Sequence, residues 1–150
     1  MRLLLQRVQR AAVTVGGERI AAIDAGLLVF VGVGHADDGS VADAMARRVA
    51  ELRIFADAEG RTNRSLLEVD GAALVVSQFT LLADTSRGRR PGFAAAAPAA
   101  QADELYRRFA GALRATGVRE VQLGRFGAEM AVELVNDGPF TIWLDSAGRT

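Results

Sequence analysis

The stretch "GLLVFVGVGHADDGSVADAMARRVAELRIF", residues 26–55, decides the fold class, because its hydrophobic period changes part-way along. Gly26 to Gly34 is a continuous apolar run rich in β-forming residues, which reads as a buried strand. Beyond it Val41, Met45, Val49 and Leu52 fall at helical spacing, with Ser40 or Asp38 available as N-cap. The intervening "GVGHADDG" lacks the G-x-G-x-x-G spacing of a phosphate loop and its helix starts late, so it reads as a turn.

Working outward, "LLLQRVQRAAVTVGGERIAAID" predicts a strand and then a hairpin, with Gly16-Gly17 as a two-residue turn. Turn residues after Phe55 surround one short apolar piece, Leu66–Leu67. "ALVVSQFTLLA", Ala73 to Ala83, predicts a second buried strand. Residues 84–100 are loop-like, with Gly88, Pro91, Gly92 and Pro98. A helical stripe of Ala102, Leu105, Phe109, Ala112 and Leu113 then runs from Ala99 to Thr116, and Gly117 is placed to end it. "VREVQLGRFG" gives a strand and turn before the final strands. The outline is β-β-β-α-β-β-α-β-β-β. It predicts one layered α/β domain over residues 1–150, with two main helices covering one sheet.

Composition removes several chemistries. All 18 basic residues are arginine, which excludes a lysine Schiff base or lysine general base. There is no cysteine, hence no disulfide, thiolate nucleophile or Cys-type zinc site. The formal net charge is zero, so no global field draws the protein to DNA, RNA or membrane, and RNA contact requires a local patch. "MRLLLQRVQR" is too short an apolar run for a signal peptide, and no segment has the length of a membrane span. A cytoplasmic, soluble location is the expectation.

The titratable residues do not assemble a catalytic motif. The one histidine, His35, has Ser77 as its best serine partner for a triad, but "SQFTL" lacks the small flanking residues of a nucleophile elbow. His35, Asp37 and Asp38 lack a metal-ligand spacing; the aspartates read as caps and dipole partners, and no metal or cofactor is expected. Asp57/Glu59 and Asp103/Glu104 read as surface charge. The residues that break local rules are of another kind. Ser77, Gln78 and Thr80 are polar groups at the end of a very apolar strand. Gly138-Pro139 interrupts the apolar series Val132, Leu134, Phe140, Ile142 and Leu144, although proline cannot donate to a ladder and glycine weakens one. A site built from such residues works through backbone N–H groups, hydroxyls and carbonyls, which suits oxyanion stabilisation. It contains no general base, so the base comes from elsewhere, the substrate included.

"SQFTL" (Ser77–Leu81) together with "NDGPFT" (Asn136–Thr141) resembles the D-aminoacyl-tRNA deacylase family. The second motif fits that family's N-x-G-P-x-T pattern at Asn136, Gly138, Pro139 and Thr141, with Phe140 in the variable slot. "QRV" at Gln6–Val8, "GLLV" at Gly26–Val29, "RIFAD" at Arg53–Asp57, "ADTSRGRRPGF" at Ala83–Phe93 and "LYRRF" at Leu105–Phe109 extend the likeness over the whole chain. The resemblance implies a layered β/β/α fold. It also implies a homodimer that hydrolyses the ester joining a D-amino acid, or glycine, to the 3′ end of tRNA.

By the same resemblance, the Gly138-Pro139 bond is cis and its loop enters the partner's site, where its carbonyl oxygens hold the substrate amino group and exclude an L side chain. Cis bonds are expensive except before proline. Ser77, Gln78, Phe79 and Thr80 supply the strand-end motif, with the Phe79 N–H as oxyanion donor. Thr80 is either a nucleophile or a group that orients the ester or a water; the absence of a base favours the second. The terminal 2′-OH of the tRNA would help to activate water. Arg7 matches an arginine packed on the Gly-Pro loop. Arg87, Arg89 and Arg90 are either a phosphate clamp for the acceptor end or solvated loop residues. The alternatives are the same scaffold editing another mischarged aminoacyl-tRNA, and a non-catalytic RNA-binding dimer.

Overall fold

The computed structural model describes residues 1–86 and 88–148. β1 (Arg2–Val15) and β2 (Glu18–Ile23) form the expected hairpin. Its two glycines take φ of 58° and 83°, the left-handed backbone that a two-residue type I′ turn demands. β3 (Gly26–Gly32) pairs antiparallel with the first half of β1. α1 (Gly39–Glu51) follows, then a small separate hairpin of β4 (Phe55–Ala56) and β5 (Thr62–Arg64). β6 (Ala72–Ser77) lies parallel to β3. α2 (Ala99–Ala115) leads to β7 (Glu120–Leu123), parallel to β6. Each parallel pair thus has a helix in its crossover, as parallel connections require. β8 (Ala131–Asp145) runs antiparallel along the other side of β1. The sheet order is β2-β1-β3-β6-β7, with β8 on β1.

Alternation sorts the side chains into two cores. Leu3, Leu5, Leu27, Val29 and Val75 meet both helices, through Met45, Val49, Tyr106 and Phe109 among others. Leu28, Leu74 and Val76 face the opposite way, onto Val13, Ala21 and Ile23. β1 takes part in both because its register against β8 shifts between Val8 and Arg10. One extra residue reverses the facing, so odd-numbered Leu3 and Leu5 point to one core and odd-numbered Ala11 and Val13 to the other. β2 thereby folds back across β6 and β7, and the sheet is nearly closed. The result is the β/β/α layering, with both helices on one face.

The outline differs from expectation in four places. Between the helices there are three strands rather than two, because the β4–β5 hairpin is too short to show a period, and Leu66–Leu67 lies in a turn. The final strands are one continuous strand of 15 residues with a bulge in it. α1 stops at Glu51, short of Leu52, the last residue of the helical series, since Leu52 is extended (φ −63°, ψ 121°). The strand predicted over Ala73–Ala83 ends at Ser77: its neighbour β3 stops at Gly32, and the chain turns into a 3-10 turn over Phe79–Leu82.

Asp38 is the cap of α1, its carboxylate accepting the Val41 N–H at 3.0 Å. Asp37 is not a cap: it is buried, and takes the Gly34 N–H at 2.7 Å together with the N-terminal ammonium. Gly117, at φ 99°, follows the last turn of α2 as expected. The buried face of α2 carries Tyr106 and Ala110, whereas Ala102 and Ala112 are only partly covered.

Candidate active site

Two separate constellations emerge. The first is built by the end of β6. Gln78 N–H makes a ladder-type bond to the Val31 carbonyl at 2.7 Å, after which Leu81 N–H bonds back to the Gln78 carbonyl at 3.2 Å. The N–H groups of Phe79 and Thr80 precede that first 3-10 bond and have no partner within the turn. The Gln78 side-chain amide donates to the Thr80 hydroxyl oxygen. That commits one lone pair of the hydroxyl and leaves its proton free to point elsewhere. The Phe79 ring is 54% exposed and meets Phe93 edge-on at 4.9 Å.

Ser77, Gln78 and Phe79 open on a cleft of about 550 Å³ whose other walls include Val33, Ala97, Phe126 and Met130. It is largely apolar, a setting in which a few fixed donors act strongly. Its one titratable lining residue is Glu129, which is solvent-exposed. The wall from Phe126 to Met130 hangs from Gly124, whose N–H bonds the Val75 carbonyl at 2.9 Å. The buried Tyr106 hydroxyl fastens the same joint, donating to the Val75 carbonyl at 2.8 Å with the Gly124 carbonyl at 3.2 Å. Burial pushes this phenol up to about 12, so it stays a donor.

The second constellation is the bulge in β8. Gln6 pairs with Thr141 and Val8 with Asn136, so Arg7 alone stands opposite residues 137–140. Those four residues leave the ladder. That resolves the puzzle of a proline within a strand, because no ladder bond is asked of Pro139. The Gly138-Pro139 peptide is cis. Asn136 closes the bulge at its neck, its amide donating to the carbonyls of Arg7 (2.9 Å) and Phe140 (3.2 Å). Thr141 accepts from the Gln6 amide at 3.2 Å.

Arg7 lies across the bulge. Its guanidinium donates to the carbonyls of Asp137 and Gly138, both at 3.2 Å, pairs with the Asp137 carboxylate at 2.8 Å, and covers the Phe140 ring at 4.4 Å. A third donor reaches the Ile54 carbonyl at 2.5 Å, tying the bulge to the segment before β4. Arg7 is thus an embedded clamp.

Arg89 and Arg90 are exposed on the loop between Asp84 and Gly92, while Arg87 lies outside the described residues. Reciprocal backbone bonds of 2.8 and 2.9 Å between Asp84 and Gly92 close the loop. Phe93 follows directly, so the loop is rooted beside Phe79.

The model of the family described as D-Tyr-tRNA(Tyr) deacylase matches residues 4–145. The chain belongs to this deacylase family. A D-aminoacyl-tRNA deacylase of Dinoroseobacter shibae is 62% identical over 97% of this chain and 99% of its own. One from Thermomicrobium roseum is 58% identical over 98% and 95%. A solved structure described as c-Myc DNA Unwinding Element Binding Protein superposes with a TM-score of 0.93 at 40% identity, covering 99% of this chain and 100% of that one. A probable eukaryotic D-amino acid tRNA deacylase shares the fold, with a TM-score of 0.83 at 19% identity over 95% and 97%.

In this family member the two motifs stand apart within one chain. The lining of the cleft does not include residues 136–141, and among the described residues no hydrogen bond or ring contact joins the bulge to Ser77–Thr80. His35 donates no chemistry to either group: it is exposed, with its ring nitrogen at 3.0 Å from the Ala94 carbonyl. Phe93, Phe126, Glu129 and Met130 were not singled out from the sequence. "GRFGAEM" carries no period that marks it as a wall.

Proposed function

We propose that the protein hydrolyses the ester bond of D-aminoacyl-tRNA and of glycyl-tRNA, acting as a homodimer in which the Gly138-Pro139 bulge of one subunit enters the cleft of the other. The observation that carries this reading is the separation just described. One half-site offers N–H donors and a hydroxyl, the other offers clamped carbonyls, and neither alone can both stabilise an oxyanion and hold an amino group. The family membership supplies the substrate class.

In the proposed reaction the Phe79 N–H receives the developing oxyanion. Thr80, held through Gln78, directs its proton to the ester or to water. The carbonyl edge at Gly138 accepts from the substrate amino group and leaves no space for an L side chain. The tRNA 2′-OH assists the attack of water, since no base stands against Thr80 among the described residues. Arg89 and Arg90 contact acceptor-end phosphates.

Deacylation of D-Tyr-tRNA, Gly-tRNA and L-Tyr-tRNA, measured side by side, tests the chemistry. The D and glycyl esters should be cleared and the L ester spared; equal rates for D and L overturn the reading, and binding without hydrolysis favours a nucleic-acid-binding role. Mixing two disabled chains tests the arrangement. A Gln78→Ala/Thr80→Val chain combined with a Gly138→Ala chain should restore about a quarter of the activity, since each heterodimer holds one intact composite site. No recovery would place both motifs in one subunit.

A further inference from the structure

We propose that Arg2 is a positioning residue for this reaction, pinning the Phe79–Leu82 turn so that the Phe79 N–H and the Thr80 hydroxyl keep their positions at the end of β6. The kinetic part of the proposal rests on the deacylase reading; the structural part does not. Arg2 joins the turn to β8. Its Nη1 donates to the Leu81 carbonyl at 3.0 Å, its Nε donates to the Asp145 carboxylate at 3.1 Å, and its guanidinium stands 5.7 Å from the centre of the Trp143 ring.

The Leu81 carbonyl belongs to the last residues of a single 3-10 turn, where backbone acceptors lack partners inside the turn. Such a turn has poor hydrogen-bond geometry and little stability of its own. An ionised donor on its end is worth more than a neutral one. The donor is itself held: burial raises the Asp145 carboxyl, but the Ala147 N–H at 2.9 Å and Arg2 outweigh this and keep it below the usual carboxylate range.

The turn also sits directly on β3, at Gly32, the residue paired with Arg2 in the ladder. A Cβ added to Gly32 would come within 3.0 Å of both the Gln78 carbonyl oxygen and the Leu81 Cβ. The turn is therefore seated on Gly32 and fastened by Arg2. Neither hydrophobic core includes Arg2, whose side chain is 36% exposed, so its removal spares the packing.

The test uses the full chain with Arg2→Met and Arg2→Lys, read by steady-state deacylation of D-Tyr-tRNA and by amide hydrogen exchange. An oxyanion donor acts chiefly in the transition state, so Arg2→Met should lower kcat about tenfold with KM changed less than about twofold. Arg2→Lys, whose ammonium cannot serve the carbonyl and the carboxylate as a fork does, should recover part of that loss. Exchange at the Leu81 and Ala83 N–H groups, which close the turn, should quicken about tenfold in Arg2→Met while β6 amides stay unchanged. Unaltered kcat, or lowered kcat with unaltered exchange, overturns the proposal. If the wild-type chain spares D-Tyr-tRNA, the deacylase reading fails, and the exchange measurement alone decides whether Arg2 holds the turn.

Discussion

Gly138 is clamped by its backbone and ignored by its surroundings. Arg7 holds its carbonyl, and Asn136 closes the loop around it, yet a Cβ placed there would meet only the Asn136 Oδ1, at 3.9 Å. Its φ is not left-handed, so the backbone itself has no need of glycine. In the proposed arrangement the space at Gly138 is needed by the substrate in the partner subunit's cleft. Gly138→Ala is therefore expected to change stability by no more than about 0.5 kcal/mol. Hydrolysis of D-Tyr-tRNA is expected to fall about a hundredfold, the effect of displacing a substrate by about 1 Å. Thermal melting beside kcat/KM checks this; unchanged turnover would mean that no substrate approaches Gly138. At this scale the sequence was informative where residues broke a rule. Gly138, Pro139 and the polar end of "SQFT" could be found because a strand should not contain them. Ile54 could not, because it acts through a carbonyl that every residue has.

The element that matters most is a turn of four residues. The 3-10 turn over Phe79–Leu82 was hidden within an apolar run that predicts strand up to Ala83, because Leu81 and Leu82 look the same in either conformation. Leu82 is in fact buried against β3, next to Gly32. What ends the strand is the loss of its neighbour at Gly32, a tertiary event that no local pattern records. The β8 bulge was legible for the opposite reason, since its breaker residues are local. The close seat on β3 gives a test of the turn. In Gly32→Ala the new Cβ would lie 2.6 Å from the Leu82 Cδ2 and 3.0 Å from the Gln78 carbonyl oxygen. The leucine can rotate but the backbone must move, so a destabilisation of about 1–3 kcal/mol is expected. Turnover should fall by more than this loss of fold explains at a temperature where the variant is fully folded. Full turnover in a folded Gly32→Ala chain would show that the turn tolerates displacement.

For the whole molecule, composition isolates one titration. The chain has no lysine, no cysteine and a single tyrosine, so between about pH 10 and 12 the side chain expected to change charge is Tyr106. Its hydroxyl joins α2 to β6 and to the turn after β7, the joint on which the cleft's far wall depends. Burial raises this phenol from 10.0 to about 12 in the folded chain, whereas the unfolded chain releases the proton near the ordinary value. The folded state then binds more protons than the unfolded state across that window, and stability must fall as pH rises through it. The contribution is fully present below about pH 10 and gone above about pH 12, a loss of up to about 2–3 kcal/mol. Urea unfolding at a series of alkaline pH values should show stability falling from about pH 10, while the tyrosinate absorbance of the folded chain appears only near pH 12. Tyr106→Phe should be less stable at neutral pH by about 0.5–1.5 kcal/mol, because the buried hydroxyl's bond is lost while the Gly124 N–H still serves the Val75 carbonyl. It should also lack the alkaline slope. A variant that keeps the slope would shift the alkaline sensitivity of the fold away from the joint between α2 and the cleft wall.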